Sequence, residues 1–580
     1  MIENGRKTIV IPATPTSNGD LHVGHMAGPY LASDIYARYL RAAGRPVIYT
    51  TCTDDSQSYV VSTARRRGTT PQALRASSTD AIQRTVAAMG ISMLGLPPID
   101  DRYRETVRRF VTALHAAGRF RTKVVRLPYA QRAGMFLYDG LVSGTCPVCL
   151  NGSCGGVCEA CGHPNNFDEL LAPRSTLDPD DPVTHRDRKI LVLPMEEYRE
   201  RLTVYYAARE GRWRPHAMQL IRELLAKPLP DVPVTFPGSW GLPAPFQETP
   251  GQVLYPWIEA MPASIYSTWW SAAQLGECTG EVDEHWRAAH DAEVVYFHGF
   301  DNVYHWGLMD LVFLMAHGER YVTPESNVCN EFYDLDGEKF STSRGHLIWT
   351  ADLVDQVPRD LVRFYLALTA PEFQRTNFSM DAMRGVLARR LVGPWNALAD
   401  ALSLALVGVN TSTPLPTSAA GRHRAEAMAR RFRLCYELPS FSVTRAAETV
   451  AAQLGRLGSV AAASGAMAGG DAATAAGDLL LEVRTLLAFS APILIDAADR
   501  ACAAGVDLVP GATRRDAIGA FRLPRLPSPP AGPTGPGGTS SAGASGAGGT
   551  SGAGTSGAGA SGGGAGKAAR IGAMPSGGVS

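Results

Sequence analysis

Two strand-and-helix patterns, one within residues 7–51 and one within residues 293–316, restrict the fold of this chain more than any other feature of its sequence. Residues 7–11 form a short apolar run, residues 26–43 carry apolar side chains on one helical face and stop at Gly44, and residues 47–51 again read as a strand. The pattern returns in residues 293–297, followed by an amphipathic stretch over 302–316. Parallel strands need a crossover between them, and a helix supplies it. The expectation is an α/β fold whose one parallel sheet is built from two separated halves, with the residues between them set in as an insertion.

Composition bounds the rest. Of 580 residues, 45% are apolar, enough for real cores in about three or four domains at roughly 150 residues each. Basic and acidic side chains balance at 55 each, which excludes a protein held to nucleic acid by bulk charge but leaves room for a local basic groove. No apolar stretch approaches the roughly 20 residues of a membrane helix, and the opening residues lack the apolar core of a signal peptide. A cytoplasmic protein with no membrane partner is expected. Residues 381–406, 422–457 and 478–504 have helical apolar spacing, so residues 380–522 read as a helical domain. From about Leu526 the chain turns to Pro, Gly, Ala, Ser and Thr, and residues 523–580 are expected to form a disordered tail.

Five of the ten cysteines fall between Cys146 and Cys161. Cys146-x-x-Cys149 and Cys158-x-x-Cys161 are two chelating turns whose spacing closes a tetrahedral thiolate site around Zn²⁺. Cys154 and His163 are alternative ligands, and a knuckle emptied of metal is the bland alternative. Such sites hold structure and rarely do chemistry.

Two further segments carry chemistry. His22-Val23-Gly24-His25 lies between the first strand and the first helix, where free backbone N–H groups and the positive helix end favour an anion such as phosphate. Taken alone, two histidines in a turn are more often a surface feature. Far downstream, Gly337-Glu338-Lys339-Phe340-Ser341-Thr342-Ser343-Arg344-Gly345 is a glycine-flanked loop bearing two cations, suited to closing over a triphosphate. By itself it would read as a solvated loop. The pair, on one two-halved sheet, outweighs both bland readings.

In this order the motifs resemble those of class I aminoacyl-tRNA synthetases, with their His-x-Gly-His turn and Lys-Met-Ser-Lys-Ser loop. Within them the chain is similar to the methionyl-tRNA synthetase family over residues 9–504. The matching residues are Pro15, Asn18, Gly19 and His22 to His25; Thr53-Asp54-Asp55; Gly144 to Cys149 with Cys158 to Gly162; Trp257-x-Glu259-Ala260; Gly299-x-Asp301-Asn302; the Lys339 loop; and Pro371-Glu372 with Phe378-Ser379. The resemblance implies a Rossmann catalytic domain in two halves (residues 1–120 and 241–325) around a connective insertion (121–240) with a zinc knuckle (146–163). It implies next a signature-loop region (326–379), then a helical bundle (380–522) that in the family reads the anticodon.

The same resemblance implies the first half-reaction: an amino-acid carboxylate attacks the α-phosphate of ATP, with Mg²⁺, to give an aminoacyl adenylate and pyrophosphate. His22 and His25 would donate to the phosphates, and Lys339, with Arg344, would neutralise pyrophosphate. Asn18, Gly24, Gly299, Asp301, Ser341 and Ser343 would complete the ATP site. Thr14, Asp55, Trp257, Ala260, Ser264, Trp306 and Asp310 would line the amino-acid pocket, with Asp55 holding the α-amino group. This is catalysis by positioning and electrostatics.

The chain departs from the family in three places. Thr342 replaces the second loop lysine, and loss of one preorganised charge typically costs about 10²–10³ in rate, which Arg344 can offset. In an ungapped alignment Ser264 replaces a tyrosine, Trp306 a histidine and Asp310 a tryptophan; a buried carboxylate facing a thioether would lack a partner. In the bundle, Gly393 and Ala401 stand where the family has base-reading side chains, and no tryptophan follows Trp395. These departures point to a diverged member that keeps adenylation and passes its acyl group, without tRNA, to a small amine or hydroxylamine, aided by a separate cupin-type partner. The alternatives are a genuine methionine–tRNA ligase and a catalytically silent binding protein.

Overall fold

The computed structural model describes residues 6–277, 280–340, 345–464 and 470–529, which lie within one compact unit. Its centre is a four-stranded parallel sheet. Strand β1 (Thr8–Pro12) pairs with β2 (Val47–Tyr49) on one side and with the distant β5 (Glu293–Gly299) on the other, and β6 (Ser326–Asn330) follows β5. Every residue of β1 is buried, as a parallel strand covered on both faces requires. The register sets Thr8 beside Glu293 and Val10 beside Val295, so the two halves legible in the sequence close into one sheet.

The crossover is helix α1 (Leu31–Ala42), which buries Leu31, Ile35, Tyr36, Tyr39 and Leu40 and ends before Gly44 at φ +77°. The sequence reading runs this helix from residue 26, whereas Met26–Tyr30 is a separate wide π-helical turn with a kink at Gly28. Pro29 has no N–H to continue the α-helical ladder. The insertion leaves after β2 and is built on the long antiparallel pair β3 (Arg121–Ala130) and β4 (Val183–Pro194), with the cysteine knuckle carried between them. The chain returns through helix α2 (Pro256–Gln274) to β5.

After β5 the expected single helix over 302–316 is again divided. Val303–Met309 is a π-helical turn, and α3 (Asp310–Ala316) continues from it. Beyond β6 a small sheet of β7 (Tyr333–Leu335), β8 (Glu338–Lys339) and β9 (Thr376–Phe378) carries the signature segment. Helix α4 (Arg359–Leu368) joins this part to the helical domain, which comprises α5 (Gly393–Ala405), α6 (Ala419–Tyr436), α7 (Val443–Ser464), α8 (Gly470–Ser490) and α9 (Ile495–Ala503). The stretch 422–457 is thus two helices, broken around Pro439.

One buried group ties the catalytic half to the bundle. Arg363 of α4 donates to Asp34 at 2.6 Å, to Met89 O at 3.0 Å, and to Pro492 O and Ile493 O at 2.7 and 3.0 Å. Both side chains of the ion pair are fully buried, which is tolerable because nearly every donor is met. The tail begins later than its composition suggests: Leu523 and Leu526 are buried, and Asn396 on α5 exchanges two hydrogen bonds with the Leu526 backbone. Two leucines in a Pro-rich stretch are enough to anchor it. Among the described residues no helix is long and apolar enough to cross a membrane.

Candidate active site

The two motifs meet in one cleft at the C-terminal edge of the sheet, where open α/β sheets bind ligands. His22 caps the turn Val23–His25, and the two histidines lock each other: His25 N donates to His22 Nδ1 at 3.3 Å and His22 N to His25 Nδ1 at 3.4 Å. Their rings stack with centroids 3.6 Å apart. An Nδ1 that accepts leaves the proton on Nε2, so each neutral ring presents an outward donor. Burial, and then the charges of His25 and Lys339, push His22 down to about 2 and keep it neutral at physiological pH.

Phe340 lies flat on His22, centroids 4.8 Å apart and planes within 9°. The turn between β7 and β8, with Gly337 at φ +87°, aims Lys339 and Phe340 at the histidine pair. Past the signature segment, Ile348 O accepts from Val23 N at 3.0 Å and Thr350 N donates to Leu21 O at 3.0 Å, which sews the downstream strand to the first motif. Gly24 has a steric reason: a Cβ there would sit 3.0 Å from His22 Cε1 and 3.2 Å from Phe340 Cδ2. Gly299 is likewise a cradle, its added Cβ falling 2.6 Å from Asp301 Oδ1. Burial raises Asp301 to about 6, and the carboxylate of Glu159 adds to the rise. Lys339 forms an ion pair with that Glu159, from the tip of the cysteine knuckle, a partner nothing in the sequence announced. Thr14 and Asn18, in the stretch between β1 and the histidine turn, are partly exposed. Ser341, Thr342, Ser343 and Arg344 lie outside the described residues.

The amino-acid end is built differently. Asp55 sits near Arg75 at 3.6 Å, its Oδ1 is buried without a hydrogen-bond partner among the described residues, and burial raises its pKa. On α2, Trp257 is followed by Ala260 and by Ser264, whose hydroxyl is spent on Ala260 O at 2.9 Å. The ungapped alignment puts Trp306 at the position of the family's histidine, and the structure sets a histidine one residue before it against Trp257. The wide turn Val303–Met309 brings His305 onto Trp257, rings 3.5 Å apart and planes within 6°, while Trp306 packs edge-on against Tyr296 at 4.5 Å. A π-turn shifts the facing residue by one position, which periodicity at 3.6 cannot show. His305 is held neutral, burial pushing it down to about 3. Glu259 is also buried, accepting from Tyr103 at 3.2 Å, and burial raises it to about 7. Asp310 is buried as well.

In the knuckle the four sulfurs lie within 4.8 Å of one another, with Cys146–Cys161 at 3.8 Å and Cys149–Cys158 at 3.6 Å. Four thiolates about 2.3 Å from a tetrahedral Zn²⁺ stand about 3.8 Å apart, so this donor set fits that ion. Cys154 and His163 are outside the cluster; His163 Nδ1 is 3.2 Å from Cys161 O.

A family model described as tRNA synthetases class I (M) matches residues 8–400. The chain belongs to this family. Among similar class I relatives, the methionine–tRNA ligase of Porphyromonas gingivalis is 31% identical over 378 residues, covering 64% of this chain and 54% of the relative. That of Thermococcus onnurineus is 31% identical over 416 residues, covering 69% and 56%. The chain therefore spans about half the length of the curated relatives it matches. The structure of Mycobacterium tuberculosis methionyl-tRNA synthetase in complex with methionyl-adenylate superposes with a TM-score of 0.70 at 19% identity, covering 91% of this chain and all of that one, which is a likeness of fold. The relatives' names favour tRNA ligation over the small-amine reading and lend no support to a cupin-type partner.

Proposed function

We propose that the chain condenses an amino acid with ATP to an aminoacyl adenylate and pyrophosphate, and then transfers the acyl group to tRNA. The observation that carries this is the single cleft shared by the His22–His25 pair and the Lys339 turn, joined through Phe340. The paired Nε2–H donors would meet phosphate oxygens as negative charge gathers on them, and Lys339 would exchange its Glu159 partner for pyrophosphate. Asp301 and the backbone at Gly299 would face the adenosine, and the free Asp55 oxygen would accept from the substrate ammonium. Mg²⁺ would accompany the nucleotide. Zinc on Cys146, Cys149, Cys158 and Cys161 would be structural, and elemental analysis should find one per chain.

The relatives' names make methionine the reference substrate. Amino-acid-dependent exchange of pyrophosphate into ATP tests activation; no exchange with any amino acid would defeat the reading. Charging of total tRNA tests the acceptor. A second reading, acyl transfer to a small amine or hydroxylamine, is favoured by one observation: α5 carries Gly393 and Ala401 at the aligned base-reading positions, and its Trp395 and Asn396 are bonded to the chain's own Pro524 and Leu526. Product formation with hydroxylamine, and none with tRNA, would select it.

A further inference from the structure

Asp310 is the group in this molecule with the least reason to be charged where it stands. It begins α3 with its side chain 1% exposed, and among the described residues neither carboxylate oxygen has a hydrogen-bond partner. Buried polar groups in folded proteins are satisfied in the large majority of cases, and a carboxylate is among the costliest to leave alone. Its position ties it to the pocket. The Asp310 N–H bonds the carbonyl of His305, five residues back, so its backbone closes the turn that carries the ring lying on Trp257. On the same turn, Trp306 meets the ring of Tyr296 at 4.5 Å, and the Tyr296 hydroxyl lies 3.6 Å from the sulfur of Met261, between Ala260 and Ser264 on α2. Asp310 thus follows directly on the turn that carries His305 to Trp257, and its buried carboxyl group is left without a partner among the described residues. His305 likewise has both ring nitrogens buried and unpartnered among the described residues.

We propose that Asp310 lies at the far end of the amino-acid pocket and selects the amino acid: the pocket takes a side chain ending in a hydrogen-bond donor, an ammonium or a hydroxyl, and disfavours a thioether. This rests on the adenylation reading above and narrows its substrate. Asp55 would hold the α-amino end and Asp310 the distal donor, so chain length and terminal group are measured together. A thioether brings no donor and leaves the carboxyl group unmet, and a site built to bond a donor discriminates steeply against an analogue lacking it.

The test is pyrophosphate exchange by the purified full-length protein with lysine, ornithine, serine, homoserine, methionine and norleucine. The expected result is a preferred substrate among the first four, with kcat/KM about 100-fold or more above methionine. The ammonium and hydroxyl arms separate the two donor classes. Asp310→Asn should raise KM for the preferred amino acid by about tenfold or more while KM for ATP stays unchanged. Asp310→Leu should move the preference toward norleucine and methionine. If Asp310→Leu fails to fold, the isosteric Asp310→Asn decides. A wild-type preference for methionine or norleucine, or an Asp310→Asn protein with unaltered KM, would overturn the assignment of Asp310 and leave adenylation standing. Absence of exchange with every amino acid would remove the adenylation reading itself.

Discussion

The two ends of the cleft are prepared in opposite ways. At the phosphate end, His22 and His25 satisfy each other through bonds three residues apart, Phe340 braces them, and Lys339 already has a counter-ion. At the proposed amino-acid end, Asp55, Glu259, His305 and Asp310 each keep a buried polar atom without a partner among the described residues. A triphosphate is the same for every adenylating enzyme, so its donors can be fixed in advance by short local bonds. The group that distinguishes one amino acid from another has to be left waiting for its ligand, and that costs stability until the ligand comes.

The contrast can be broken first at its rigid end. His22→Ala or His25→Ala should lower the exchange rate by about 10²–10³ with an unchanged melting temperature; wild-type exchange in either variant would remove the histidines from the chemistry. Glu259 sharpens the other end. Its folded pKa of about 7 lies above its ordinary 4.5, so the folded state keeps a proton that the unfolded chain releases. Stability from this group is complete below pH 4.5 and is lost as pH rises through 7, by at most about 3 kcal/mol. Glu259→Gln should flatten that slope in denaturant titrations across pH 4.5 to 7.5, and an unaltered slope would show that the carboxyl group is not protonated in the fold. The smallest effect concerns the knuckle. Glu159→Gln frees Lys339 from an exposed ion pair and should lower KM for ATP by only about two- to fivefold; a larger change would mean that the knuckle controls the cleft.

The parallel sheet, the crossover ending at Gly44 and the cysteine knuckle were all legible, because each rests on a local pattern: an apolar run, a left-handed turn residue, a ligand spacing. The division of two expected helices by π-turns was not, since Pro29 hints at the first but nothing marks Val303–Met309. That second turn carries His305 to Trp257 and Trp306 to Tyr296. A histidine one position from the aligned site was the only signal. Glu159 was equally hidden, because its meeting with Lys339 joins residues 180 apart, one in the insertion and the other in the small sheet beyond β6.

The sequence by itself determined which residues could handle a phosphate and which could bind a metal, because side-chain chemistry and short spacing are properties of the chain. Only the tertiary structure decided what stands opposite what. A shift of one residue in a helical turn moves a side chain by more than a quarter turn, and the fold makes of Asp310 a buried acid with no hydrogen-bond partner among the described residues.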